Sequence, residues 1–439
     1  MAASHTTMME SMAAASGISL KALELLEASF NGDLHRLKQL AVELDDGKGI
    51  AKTVGEIKDE VGIRAIHVAA VQGQLHVLKY LIGDLKLDVD VKDIRDKTPL
   101  IFAIEGKHLS TASYLLEMGA SLDVADDLGA TPLHYAAGEL GNKKLLHLLV
   151  SRGANVDVMS PAGTPLERAA LNGDHEAIEV LLNYHANPNL NYRDVWTPLL
   201  ASLQAHSFQC VQLLLEAGAD PDDRGLGIPP LEVAANEGLT DMVLSLLKAG
   251  ANPNVMNEVG QTPIEVAAIS GNNQIVEILL PKTKPISKYS KWSLGGIMKH
   301  VHSKESREQR QLIKDMKFEG AKPYGDNAFR EKDYTMAVVY YSKAIAAEPS
   351  NATLYSNRSL CWLRLEDGKA ALKDARRCMM RKPDWPKAHY RAGAALYLLK
   401  DFEKAAESFL EGLKLDPGNE ELKKAYQEVV EAKLKPTSL

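Results

Sequence analysis

From Leu20 to Leu280 apolar and polar positions follow one block, repeated. Each block opens with a turn, enters a short helix carrying alanines, turns again at a glycine and enters a second helix marked by paired leucines. The opening phrases are Arg64-Ala-Ile-His-Val-Ala-Ala, Thr98-Pro-Leu-Ile-Phe-Ala, Thr131-Pro-Leu-His-Tyr-Ala-Ala, Thr164-Pro-Leu-Glu-Arg-Ala-Ala, Thr197-Pro-Leu-Leu-Ala, Pro229-Pro-Leu-Glu-Val-Ala-Ala and Thr262-Pro-Ile-Glu-Val-Ala-Ala. Their anchors recur at a spacing of about 33 residues, never more than one away from it. Thr starts the first helix and Pro sits in its first turn, where a missing N–H costs nothing. Gly73, Gly173, Gly238 and Gly271, nine residues past the anchor, fall where the turn between helices needs positive φ. Pairs such as Leu148-Leu149 and Leu181-Leu182 should bury the stack. Residues 20–46, with Asn31-Gly-Asp33, read as a degenerate first helix pair, and Asp45 to Glu60 as an exposed, charged loop.

A period of this length with a Thr-Pro-Leu-His-x-Ala core resembles the ankyrin repeat. The resemblance implies a helical solenoid that binds proteins along an extended surface, spanning residues 20–285 after a flexible N-terminus at 1–19. His67 and His134 occupy the histidine slot of the phrase and read as hydrogen-bonding elements of the stack, not as catalysts or metal ligands. Around Asn191-Tyr-Arg-Asp-Val-Trp196 the loop glycine is replaced by Val195 and a Trp sits at the tip, which makes Tyr192, Arg193 and Trp196 the candidate contacts for a partner.

From Pro281 the period stops. Lys282, Lys284, Lys288, Lys291, Lys299, Lys304, Arg307, Arg310 and Lys314 face only Glu305, Glu308 and Asp315, so residues 286–315 read as a basic linker ending in a charged helix. Trp292, Leu294 and Ile297 are its candidates for docking onto the preceding repeats. A second period, about 34 residues long, then aligns Ala337, Ala371 and Ala405, Tyr341, Ala375 and Phe409, and Pro349, Pro383 and Pro417. It resembles three tetratricopeptide repeats closed by a C-terminal capping helix, within residues 316–435. The expected fold class is therefore all-α, two α-solenoids in series.

Aligned on that period, the groove positions hold Lys322 and Asp326, Asn357, and Lys387 and Arg391. They resemble the carboxylate clamp of chaperone-binding tetratricopeptide domains, which reads Lys, Asn, Asn, Lys, Arg. The resemblance implies that cations and an amide converge on a peptide's terminal and side-chain carboxylates. Asp326 departs from it: an acid there either repels the peptide or pairs with Lys322 one turn away and orients it. Ankyrin repeats followed by a clamp-type tetratricopeptide module resemble a two-module group associated with plants. That likeness implies a non-catalytic adaptor holding the Glu-Glu-Val-Asp tail of a cytosolic heat-shock chaperone, of the seventy- or ninety-kilodalton class, with a second, unidentified protein on the ankyrin face. A signalling or transcription scaffold independent of chaperones is the alternative.

Composition narrows the field further. A net charge of −7 argues against chain-wide attraction to nucleic acid or anionic lipid, and no stretch approaches the ~20 apolar residues of a membrane span. Cys210, Cys361 and Cys378 show no paired or zinc spacing and read as buried thiols of a reducing compartment, with the cytoplasm and also the nucleus as expected locations. Neither a hydrolase elbow, a zinc-protease helix, a phosphate loop nor a kinase signature is present, so no enzyme, cofactor or metal is expected.

Overall fold

The computed structural model describes residues 18–434 except 139–141, 162, 191–195, 225–227, 258–259, 287–288, 290 and 316–319, and leaves out the side chains of 309, 312–315 and 434. Tyr192, Arg193 and most of the N-terminal stretch 1–19 thus lie outside the described residues. Every regular element described is helical, apart from isolated bridges at Lys58–Arg64 and Ser160–Gly163. The chain packs as two units, residues 1–226 with 241–251 and residues 227–240 with 252–439.

In the first unit the phrase positions begin short helices, Pro165–Leu171 and Pro198–Gln204 among them, whose N-cap hydroxyls on Thr164 and Thr197 each accept the backbone N–H three residues on, at 3.1 Å. Each leucine pair splits its task. Leu115, Leu149, Leu181, Leu214 and Leu246 are fully buried, while the following or preceding partner is only half-buried. The turn does require positive φ: Gly73 and Gly173 stand at 71° and 67°, and where glycine is missing Lys107 and His206 are forced to 60° and 52°. Successive loops are stitched by side-chain acceptors, Asp157 taking the Asn187 N–H at 2.9 Å and Asn189 that of Asp220 at 2.7 Å.

The degenerate first pair is present as Leu20–Asn31 and Leu34–Leu44, with Gly32 at φ 76° and Asp33 capping the second helix. The segment expected to be a loop after Asp45 instead holds the helix Ile50–Glu56. Its Val54 is fully buried and Thr53 donates to Asp45 at 3.0 Å. Flanking charges hid one apolar face too short to show a period.

His67 and His134 do hold the stack. Each Nδ1 accepts the N–H of its own N-cap residue, Arg64 at 3.0 Å and Thr131 at 3.1 Å, so Nε2 carries the proton and donates to the next loop, to Val91 O at 2.9 Å and Gly163 O at 3.1 Å. Burial pushes both imidazoles below their ordinary pKa and keeps them neutral. The same slot takes Glu in later repeats. Glu167 is buried, one of its oxygens has no partner among the described residues, and burial raises its carboxyl to about 7.

In the second unit Glu232 accepts from Asn257 at 2.7 Å. Glu265 accepts the Thr262 N–H at 3.0 Å and the Tyr289 hydroxyl at 2.6 Å. Tyr289 meets Trp292 edge-on, and the helix Leu294–Val301 buries Ile297 and Val301 while packing on Pro263–Ile269 and Asn273–Leu279. Ile297 therefore docks as the sequence suggested, and Lys304–Asp315 is the charged helix that follows.

The tetratricopeptide helices of this unit are α1 (Ala321–Arg330), α2 (Tyr334–Ala347), α3 (Ala352–Arg364), α4 (Gly368–Arg381), α5 (Pro386–Leu398), α6 (Phe402–Leu415) and the capping α7 (Glu420–Leu434). The repeat register pairs small with large. Gly325 lies against Tyr341 and Gly393 against Phe409, where an added Cβ would stand 2.8 and 2.7 Å from ring carbons, whereas Ser359 sits where the matching α4 residue is Ala375. Cys361 and Cys378 are buried, and burial pushes their thiols up to about 12 and about 11, away from thiolate chemistry at neutral pH.

Candidate functional site

The five clamp positions come from the first helix of each repeat: Lys322 and Asp326 on α1, Asn357 on α3, Lys387 and Arg391 on α5. Lys322 and Asp326 lie one turn apart on α1, with Nζ 2.6 Å from Asp326 Oδ2. Asp326 Oδ1 accepts a second bond, 2.7 Å, from the hydroxyl of Tyr341 on α2. Burial pushes the Asp326 carboxyl up, but the bonds from Lys322 and Tyr341 outweigh it and leave the pKa below the ordinary carboxylate value. Burial, and then Asp326, drive the Tyr341 phenol well above its usual range, and the Asn357 amide, within hydrogen-bonding range of the same hydroxyl, opposes that rise. Tyr341 thereby joins the α1 and α3 members of the site.

The α5 members are differently placed. Trp385 is the N-cap, Pro386 occupies the first turn, and Lys387 and Arg391 follow one turn apart. Arg391 is 7% exposed, and its Nε is buried with no hydrogen-bond partner among the described residues. Its guanidinium sits 5.6 Å from the Tyr390 ring centroid, near the Cys361 and Cys378 thiols. Burial lowers its pKa, yet a guanidinium stays protonated throughout the neutral range. Lys387 is exposed, its ammonium 5.9 Å from the Trp385 ring centroid; partial desolvation and the charge of Arg391 lower its pKa, and Glu421 acts in the opposite direction. The α1 end is thus an internally matched ion pair, and the α5 end is a pair of cations with no carboxylate of the described residues within hydrogen-bonding distance.

The sequence pattern proposes the five positions but does not point to Tyr341, which bonds Asp326. The signal was available: its equivalents one and two repeats on are Ala375 and Phe409, neither able to hydrogen-bond, so a hydroxyl at that helix contact implies a polar partner on α1. It also missed Arg358, next to Asn357, whose guanidinium donates to both oxygens of Asp374 at 2.7 and 2.8 Å and to Ser342 at 2.7 Å, almost wholly out of water.

On the ankyrin side Trp196, the residue before the N-cap Thr197, is half-buried. Trp196→Ala should move the midpoint of thermal unfolding by less than about 2 °C. A larger drop would place the ring in the stack and remove it as a contact.

A pair of helical repeat arrays defines a protein-binding class. Five overlapping stretches, 25–126, 66–160, 133–225, 166–257 and 231–293, match the family model for ankyrin repeats, and the chain belongs to that family. Residues 301–393 match the tetratricopeptide repeats described for BSK1-like serine/threonine-protein kinases, and residues 386–419 match the tetratricopeptide repeat itself. Relatives include the STIP1 homolog of Dictyostelium discoideum, 45% identical over 107 residues, which cover 24% of this chain and 19% of that protein. The heat shock protein sti1 homolog of Schizosaccharomyces pombe is 42% identical over 27% of this chain and 20% of its own. Hsp70-Hsp90 organizing protein 3 of Arabidopsis thaliana is 38% identical over 29% and 23%. The chain spans about a fifth of the length of these curated relatives. The ankyrin repeat domain of human ASB11 superposes with a TM-score of 0.44 at 29% identity, covering 51% of this chain and 99% of that domain.

Proposed function

We propose that this protein is a non-catalytic cytosolic co-chaperone adaptor. Its tetratricopeptide groove takes the acidic C-terminal tail, of Glu-Glu-Val-Asp type, of a seventy- or ninety-kilodalton heat-shock chaperone, and its ankyrin face holds a second protein. The observation that carries the reading is Arg391. A guanidinium that cannot shed its proton, buried with an unpartnered Nε, is unfavourable in the free protein, and a carboxylate arriving beside Lys387 supplies the missing charge and hydrogen bonds. The relatives named as organizing proteins for two heat-shock chaperones point to the same ligand class.

The test is calorimetric titration of the full chain with acetyl-Glu-Glu-Val-Asp. Arg391→Ala should weaken binding at least tenfold, about 1.4 kcal/mol or more, and raised salt should weaken the parent interaction. Because no partner is orphaned by its loss, the same substitution should leave the melting midpoint unchanged or higher. If the double variant Lys387→Ala with Arg391→Ala binds as well as the parent, the groove is not the site and the chaperone-independent scaffold takes its place.

A further inference from the structure

Two ends of one groove differ in what they lack. On α5, Lys387 and Arg391 are cations with no carboxylate of the described residues against them at hydrogen-bonding distance; Glu421 acts on both only through its field. On α1 the corresponding cation, Lys322, is already held at 2.6 Å by Asp326, and the other oxygen of Asp326 is held by Tyr341 at 2.7 Å. Both carboxylate oxygens are therefore engaged, and the charges of Lys322 and Asp326 offset one another, with Arg330 one turn further along α1 adding a field at Asp326. A ligand carboxylate brought to Lys322 would have to share it with Asp326, placing two negative charges on one ammonium, and like charges so placed are disfavoured. A neutral amide N–H meets no such obstacle, since a carboxylate oxygen accepts more than one hydrogen bond.

We propose that the groove has a single anion subsite, on α5, and that Asp326 makes the α1 end selective for a neutral hydrogen-bonding group. This rests on the reading of the groove as an acidic-peptide site and specifies its ligand: one carboxylate is required, and a second presented to the α1 end is not. Asp326 is the specificity-determining residue, acting through Lys322 and Tyr341.

The probe is acetyl-Gln-Gln-Val-Asp, whose carboxylates are the chain terminus and one side chain. It is compared with its C-terminal amide and with acetyl-Gln-Gln-Val-Asn, each lacking one of the two. Against the full chain, one neutralised peptide should bind at least tenfold more weakly than the probe and the other within twofold of it, whichever way the peptide runs. Against Asp326→Asn, which frees Lys322 while keeping an oxygen for Tyr341, the probe should bind at least fivefold more tightly and both neutralisations should become costly. Tenfold losses on both peptides with the unaltered chain overturn the inference, as does an unchanged pattern in Asp326→Asn. Those results leave the groove reading intact provided acetyl-Glu-Glu-Val-Asp still binds through Arg391. If neither that peptide nor the probe binds, the groove reading falls and this inference with it.

Discussion

Arg358→Leu should be the most damaging single substitution in the tetratricopeptide repeats, costing about 3–5 kcal/mol, because it leaves the Asp374 carboxylate buried without its counter-charge. Both partners are less than one-twentieth exposed, so water cannot replace what is removed. The same guanidinium bonds Ser342, so one side chain on α3 ties α2 and α4 together beside Asn357. Amide hydrogen exchange reads the effect locally: protection in Ala352–Arg364 and Gly368–Arg381 should fall by roughly two to four orders of magnitude. Removing both charges, Arg358→Leu with Asp374→Leu, should restore most of the loss, since two apolar side chains leave no ion stranded. A single variant that loses less than about 1 kcal/mol, or a double that is no better than the single, would show that the pair does not carry this role.

Glu167→Gln should stabilise the protein at pH 8 by about 2 kcal/mol and destabilise it by about 0.5 kcal/mol near pH 4.5. Burial lifts the carboxyl to about 7 from an ordinary 4.5, so the folded state favours the protonated form. The contribution of Glu167 is fully present below the unfolded value and is lost as pH rises through about 7; the difference amounts to about 3 kcal/mol at high pH. The amide of Gln, with no acceptor for one N–H, takes back about 1 kcal/mol. His67 and His134 act with the opposite sign, their neutral forms being favoured by the fold, so they contribute above the ordinary pH 6.5 and lose that contribution as pH falls through their lowered values. The difference in unfolding midpoint between variant and parent at pH 5 and pH 8 isolates Glu167. Equal differences at the two values would mean that the carboxyl is not held protonated.

The helices and their pairing were legible because the interactions that set them are local and periodic: N-cap threonines, first-turn prolines, a turn glycine at a fixed offset and one buried leucine per pair. The helix Ile50–Glu56 was not, since so short an element offers too few positions for a period, and what anchors it, Val54 and the Thr53–Asp45 bond, depends on tertiary contact. The candidate clamp positions followed from register together with the family resemblance it carries. Which of them would be free did not, because that depends on Tyr341, on another helix from Asp326, and on the burial of Arg391 beneath neighbouring helices. Pattern locates a side chain on a face; its charge state and partners belong to the packed structure.

The histidine slot also gives the ankyrin array a grammar. At His67 and His134 a repeat gives a proton to a carbonyl in the loop of the next one, whereas at Glu232 and Glu265 it receives one, from Asn257 and from Tyr289. Where neighbours pair through this slot they must match donor to acceptor, and at Glu167, where no donor is met, the carboxyl is instead driven toward its protonated form, so blocks of nearly identical length and shape are not equivalent. Transposing the Glu265 block to follow His134 would leave a carboxylate awaiting a donor that the new successor does not provide. Gene-level shuffling of this chain is thereby constrained to exchanges that carry a slot and its successor loop together, an order fixed by chemistry and not by the outline of the repeat.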